Sequence, residues 1–458
     1  MPQPARALPA LLVGVALLAA CGPATPSPSG TAKSAQEAPT STPSARIGEV
    51  VAAPGSSSTL YEPNPAAIVV AIDPGHGGCL DWGVPDPLKR GPAFSEKEMT
   101  LAIGLELKRL LDAQGITVVM TRQTDEALAG DDYPDLGCHG APFRDVTGDG
   151  EIGFDPEGKT RTHDELQARI DLVNLARADL LVSIHINNAV TQDGVAVEIA
   201  ATETYWTDET NWGVSASQRL AKLVQEGVLA ALRPVAPYER QDRGIAAVNF
   251  FIVAPPLFEA TPERPDPWKQ PTRGVLMPAV LTEVGYITLP AEQDLLLSPE
   301  GQAAAAHGIA NALGAYLADR PLSVRYDALV PGGEAGSLAT VVEGGGPPFW
   351  AQAIGRAELA QGVGVRLTNT GSAAWPADLR VLAGWEASAA PYLRRPPDQL
   401  DDLGIHVPPL GPGESVVLEM PISVPVADRG MLWISLASGD TQLSDVGSAP
   451  LQLATDGR

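Results

Sequence analysis

Ile68-Val-Val-Ala-Ile-Asp73-Pro-Gly-His76-Gly-Gly78 decides how this chain folds. Five apolar, mostly β-branched residues in a row suit a strand buried on both faces. The glycines that follow let the chain turn sharply and let neighbouring backbone approach His76. A second run of the same kind, Leu180-Leu-Val-Ser-Ile184, leads into His185-Ile-Asn187. A His just past such a strand faces the crevice at the carboxyl edge of an open α/β sheet, where ligands bind. Either His alone reads as a hydrogen-bonded residue at a strand end. Two at equivalent positions point to a metal.

The acidic partner lies in Ser95-Glu96-Lys97-Glu98. Ser95 with Glu98 three residues later is a capping-box pattern, and Met99, Ile103, Leu107, Leu110 and Leu111 then form one helical stripe. Glu98 is spoken for as the capping residue. Glu96, at the first helical position, can point outward to the crevice, although it would also suit the helix dipole. Two His and one Glu make a sufficient ligand set for a catalytic Zn²⁺, which leaves its fourth position open. Glu283, in Leu281-Thr-Glu283-Val-Gly-Tyr286, follows another apolar run and is free to act on water rather than on metal. Amide hydrolysis needs an activated water, a polarised carbonyl and a proton for the leaving amine. The other reading of Glu283 is a solvated carboxylate at a strand end. No His-Glu-x-x-His occurs, which argues against a zincin protease.

These motifs, in this order, resemble the zinc-dependent N-acetylmuramoyl-L-alanine amidases of the Amidase_3 type over about residues 66 to 320. The resemblance rests on the strand leading into Asp73-Pro-Gly-His76-Gly-Gly, the Glu96-Lys97-Glu98 helix start and the strand into Ser183-Ile-His185-Ile-Asn187. It extends to the Arg243-Gly244 to Phe251 stretch and to Glu283-Val-Gly-Tyr-Ile287. It implies His76, Glu96 and His185 as zinc ligands, Glu283 as the catalytic carboxylate, and peptidoglycan as substrate, cut between N-acetylmuramic acid and L-alanine. A silent murein-binding module and a zinc hydrolase for another amide are the alternatives. A full set of imidazoles and carboxylates favours the enzyme.

The expected architecture is an α/β catalytic domain with a mixed sheet flanked by helices, followed by a small all-β sandwich. Ile116–Met120 and Gly194–Glu198 read as further strands, and Ser215–Leu232 and Gly301–Leu317 as helices. Residues 1–20 resemble a lipoprotein signal peptide, with Arg6 ahead of an apolar run that ends at Cys21. Cys21 is then the lipidation site that would hold the protein at the outer face of a bacterial membrane. An ordinary signal peptide is the competing reading. Residues 21–65, rich in Ser, Thr, Pro and Ala, read as a flexible tether. The catalytic domain spans 66–320, a Gly- and Pro-rich linker 321–347, and an immunoglobulin-like sandwich 348–458. Its Trp375, Trp385 and Trp433 are candidates for a glycan-stacking face, but tryptophans in a sandwich are more often core.

An insertion between the first two histidine segments carries Asp145, Thr147, Asp149, Gly150 and Glu151, the spacing that opens an EF-hand loop. It departs from that pattern at the twelfth position, so Ca²⁺ and a plain acidic loop both stay open. Besides Cys21 the chain holds two cysteines, Cys79 and Cys138, a disulfide candidate in an exported protein. The net charge of −24 excludes nucleic acid as a partner, because phosphate binding needs a basic face. Any membrane residence must then rest on the lipid alone, and a regulatory protein partner is left unspecified.

Overall fold

The computed structural model describes residues 47–48, 51–52, 59–63, 68–146, 159–191, 193, 195–208, 213–254, 274–329, 338–341, 349–354, 363–387, 400–420, 422–423 and 430–455. The apolar runs form the middle of a six-stranded mixed sheet. Its strands are β1 (Val69–Pro74), β2 (Thr117–Met120), β3 (Leu180–Asn187), β4 (Ala201–Trp206), β5 (Gln241–Ala247) and β6 (Ala279–Tyr286). The spatial order is β5-β4-β6-β3-β1-β2. β2, β1, β3 and β6 run parallel, whereas β4 and β5 run the opposite way.

Side chains alternate across this sheet, and both sets are apolar. Val70, Ile72, Val182, Ile184, Val280 and Val284 pack under α1 (Glu96–Asp112), α3 (Val214–Leu232) and α5 (Pro299–Ala318). Val69, Ala71, Leu181, Ala279 and Leu281 meet Ile170 and Val173 of α2 (Lys159–Leu175) and the turn Phe251–Val253. Each such side chain fully buried contributes roughly 1.5–3 kcal/mol. Two covered faces explain why the runs are continuous rather than alternating. The parallel ladder then brings the ends of β1, β3 and β6 to one edge.

Two local expectations fail. Of the strand expected at Gly194–Glu198, the described residues 195–198 form only one isolated bridge, Ala196 to Val190, and Val195 and Val197 are 62% and 41% exposed. The strand is β4, whose Thr202, Glu203 and Thr204 are buried but hydrogen-bonded. Polar composition hid it. Nor does the capping box form. Ser95 caps α1 by position, but its hydroxyl donates to Pro92 O at 2.6 Å because the turn Pro92–Phe94 leads straight into the helix.

The carboxyl-terminal region is two sheets around one apolar core that includes Val365, Leu367, Trp375, Trp385, Val416 and Leu432. Trp375, Trp385 and Trp433 are at most 2% exposed, so they are core and not a stacking face. The boundaries expected for the tether and the linker are corrected by strand pairing. Thr59–Pro63 pairs antiparallel with Glu414–Met420, and Val324–Leu329 pairs with Val363–Asn369. In the second case Val324, Tyr326 and Ala328 alternate inward, a period-2 signal that the neighbouring glycines and prolines masked. Cys21, Thr147, Asp149 and Glu151 lie outside the described residues. Asp145 is described and exposed. Among the described residues, no helix is long and apolar enough to cross a membrane.

Candidate metal centre

His76 follows β1 in an unusual backbone: its φ is 63°, and Gly77 and Gly78 continue with φ of 128° and 79°. A non-glycine residue in the left-handed region costs of order 1–3 kcal/mol and persists only where its surroundings hold it. Two buried guanidiniums do so. Arg122 donates to Pro74 O and Gly75 O, each at 3.0 Å. Arg169 donates to Pro74 O at 2.8 Å and His76 O at 2.6 Å. Arg169 is itself held by Asp73 at 2.9 Å and by Glu165. The cost of burying Asp73 is more than offset by Arg169, Ser183 and Thr121, which keep its carboxyl below the usual range. Burial pulls the Arg122 guanidinium down to about 10.

Glu96 is the first residue of α1 and only 2% exposed. Its Oε2 accepts from Val84 N at 2.7 Å and its Oε1 from Ile186 N at 2.9 Å, so backbone fixes the carboxylate. His76 Nε2 stands 3.2 Å from Oε2, and His185 Nδ1 stands 3.0 Å from Oε1. Close approach makes this possible. A Cβ at Gly75 would meet the His185 ring at 2.5 Å, and one at Gly83 would meet Glu96 Oε2 at 2.4 Å. The donor atoms of His76, Glu96 and His185 all lie within 4.8 Å of one another.

Asp81 completes the arrangement. Its Oδ1 accepts from His76 Nδ1 at 2.8 Å, which leaves Nε2 free to face Glu96. A carboxylate behind a ligating imidazole fixes the tautomer and ring orientation. Burial alone would lower the His76 pKa, but Glu96 and Asp81 hold it well above its ordinary value. Burial likewise opposes the Glu96 charge, and His76 and His185 win, keeping its pKa far below the usual carboxylate range.

Glu283 lies beside this cluster, in register with His185 on β3 and with Glu203 on β4. Its Oε2 is shut off from solvent and has no hydrogen-bond partner among the described residues. Burial, and then the charges of Glu96 and Glu203, push its pKa well above the ordinary value, against the pull of His76. Both Glu283 and the three donors line a cavity of about 310 Å³, which Tyr205, Phe250 and Ile252 also line. Two nitrogens and one carboxylate oxygen, converging beside an unpaired acid, suit a borderline divalent cation such as zinc with a proton-transfer group next to it.

The structure thus gathers His76, Glu96, His185 and Glu283 at one sheet edge. Cys79 and Cys138 are bonded, with Cα atoms 5.9 Å apart, which ties the hairpin Asp132–His139 to the turn after His76. Sequence reasoning missed Asp81, Arg122 and Arg169. Asp81 was discoverable as an acid five residues after His76 in a glycine-rich turn. The arginines lie 46 and 93 residues from His76 and follow no spacing rule.

Residues 70–315, just over half of the chain, match the Amidase_3 family, N-acetylmuramoyl-L-alanine amidase. A germination-specific N-acetylmuramoyl-L-alanine amidase of Bacillus subtilis (strain 168) is 24% identical over 252 residues, 55% of this chain and 81% of that protein. The uncharacterized protein YqiI of the same organism is 26% identical over 247 residues, 54% of this chain and 84% of its own length. The solved N-acetylmuramoyl-L-alanine amidase from Clostridium difficile 630 is 26% identical, covering 55% of this chain and 98% of that one, with a TM-score of 0.37.

Proposed function

The chain belongs to the N-acetylmuramoyl-L-alanine amidase family, and from that premise we propose that it is a zinc enzyme of cell-wall remodelling or cell separation. It cuts the amide between N-acetylmuramic acid and L-alanine. His76, Glu96 and His185 hold the zinc, and Glu283 moves the proton. Zinc at such a site supplies carbonyl polarisation and a more acidic water. The remaining work falls to the chain's own residues. Asp81 keeps Nε2 of His76 turned to the site, and backbone N–H groups of Val84 and Ile186 keep Glu96 from drifting. Glu283 takes the water's proton at its unpaired Oε2 and gives it to the leaving nitrogen. The apolar wall of Tyr205, Phe250 and Ile252 limits competing water.

The observation that carries this reading is the unpaired Oε2 of Glu283 beside three converged donors. The test is digestion of purified peptidoglycan with analysis of fragments by mass spectrometry. Stem peptides with a free L-alanine amine should appear, and a chelator should stop them. Cuts in glycan strands or between stem peptides would refute it.

Two further proposals concern Cys21 and the segment 145–151, of which Asp145 alone among the named residues is described. Lipid on Cys21 would place the enzyme at the outer face of a membrane, and Cys21→Ala should then free it from membranes. Calcium at Asp145, Thr147, Asp149 and Glu151 should raise the melting temperature, and Asp149→Ala should abolish the rise. Membrane residence of the first variant, or no calcium response in the wild type, would refute the respective proposal.

A further inference from the structure

Beyond Glu283 the polar row continues outward. Glu283 is in register with Glu203, and the bulge between Asp242 and Ile245 sets Arg243 and Gly244 of β5 opposite Glu203. β5 is the edge strand of the sheet, and Arg243 sits on it with 30% of its side chain exposed. Its Nε donates to Glu203 Oε2 at 2.9 Å, and its guanidinium lies 5.8 Å over the Tyr286 ring. Glu203 Oε1 is occupied separately, by the Tyr286 hydroxyl and by Asn187 Nδ2 at 2.7 Å. One carboxylate thus anchors the arginine through a single nitrogen. Among the described residues, Nη1 and Nη2 of Arg243 have no hydrogen-bond partner, and both are available to something outside the chain.

We propose that Arg243 is the specificity residue for a carboxylate of the substrate's stem peptide, resting on the amidase reading above. Direction comes from the proton transfer. If Glu283 protonates the leaving nitrogen, the peptide begins at Glu283 and runs away from the metal ligands, over β4 and β5. Strands in a sheet lie about 4.8 Å apart, so Arg243 stands two spacings, about 10 Å, from Glu283. An extended peptide advances about 3.3 Å per residue. The α-carboxylate of the residue after L-alanine therefore comes within reach of the long arginine side chain. Charge supports the same assignment. The row beside the metal cavity is acidic, with Glu203 in register with Glu283, and Arg243 is the cation that meets it from β5. The guanidinium fork is the geometry that binds carboxylate bidentately.

The test uses the full chain and two muramoyl dipeptides, L-alanine followed by one residue, that differ only in whether that second residue's α-carboxylate is free or amidated. The wild type should prefer the free acid by about 10- to 100-fold in kcat/KM, the range of a hydrogen bond to a charged group. The difference should reside in KM and shrink as salt is raised. Arg243→Gln should bring the preference close to one, and Arg243→Lys, which keeps the charge without the fork, should retain part of it. If Arg243 serves only to neutralise Glu203, its loss will instead lower kcat on both substrates alike and leave their ratio intact. That result, or equal use of both substrates by the wild type, would overturn the subsite. If neither variant folds, the salt dependence of the wild-type preference decides, and a preference indifferent to salt overturns it. No turnover of either substrate by the wild type would overturn the amidase reading and the subsite with it.

Discussion

The two halves of this molecule bury different things. Around the six-stranded sheet the interior holds Asp73, Glu96, Arg122, Glu165, Arg169, Arg240 and Glu292, all at most 4% exposed. In the sandwich, among the described residues, Asp327 alone is a buried charged side chain on a strand, and it pairs with Arg177 at the seam. Its other buried polar groups are uncharged: Thr368 bonds Ser415 and Asn369 bonds Leu410 O, while the indole N–H groups of Trp385 and Trp433 have no partner among the described residues. Burying a charge is expensive unless it is paired. The sandwich avoids that cost, as a domain built only to pack would. The amidase half incurs it repeatedly, chiefly near the turn that carries His76 and the strand that carries Glu283. Function is legible where the interior departs from the cheapest packing.

The contrast is broken most simply by truncating one group in each half. His185→Ala should abolish both metal binding and turnover while the fold persists, measured as metal per chain and as released stem peptide. Trp385→Ala, at 0% exposure, should cost about 3–5 kcal/mol of stability in denaturant melts. The fraction still folded should keep its metal. Metal loss from the tryptophan variant, or retention by the histidine variant, would erase the distinction.

A finer test asks whether the buried arginines serve geometry or mere charge balance. Arg122→Lys keeps the positive charge but cannot reach both Pro74 O and Gly75 O. With the strained His76 turn less well held, metal affinity should fall about 10- to 100-fold, the usual effect of losing a group that orients a ligand. An affinity equal to wild type would mean that the turn needs no clamp.

The smallest expected effect is on acid stability. Asp73 has a depressed pKa in the fold, because Arg169, Ser183 and Thr121 outweigh its burial. The unfolded chain therefore binds its proton more readily, and the stability from this group is present above the unfolded value of about 3.9 and lost as pH falls through the folded one. Asp73→Asn should be less stable than wild type at neutral pH, with the gap closing below about pH 4. Melts across that range check it. A gap constant with pH would assign the effect to packing.

Much of the fold can be read directly from composition. Ile68–Ile72 and Leu180–Ile184 announce central strands because a strand covered on both faces has no room for polar residues. β4 is opaque for the opposite reason, since its buried Thr202, Glu203 and Thr204 are satisfied by partners up to 83 residues away. Short strands beside Gly and Pro, such as Val324–Leu329, are obscured by their flanks. At the site, the residues that touch the metal position lie in short motifs with their own local physics. Of those that hold them, Asp81 is a near neighbour in the chain, whereas Arg122 and Arg169 act through distances that only the folded chain creates. Glu203 and Arg243 are further cases, because their pairing depends on the register of an edge strand.

The most direct test of the account is Glu283→Gln, which keeps volume and polarity and removes only the ability to carry a proton. The account predicts a protein that is folded, metal-loaded and still bound to peptidoglycan, with turnover reduced about 10²- to 10⁴-fold. Turnover equal to wild type would contradict it, and loss of metal would show Glu283 to be a ligand rather than the group that moves the proton.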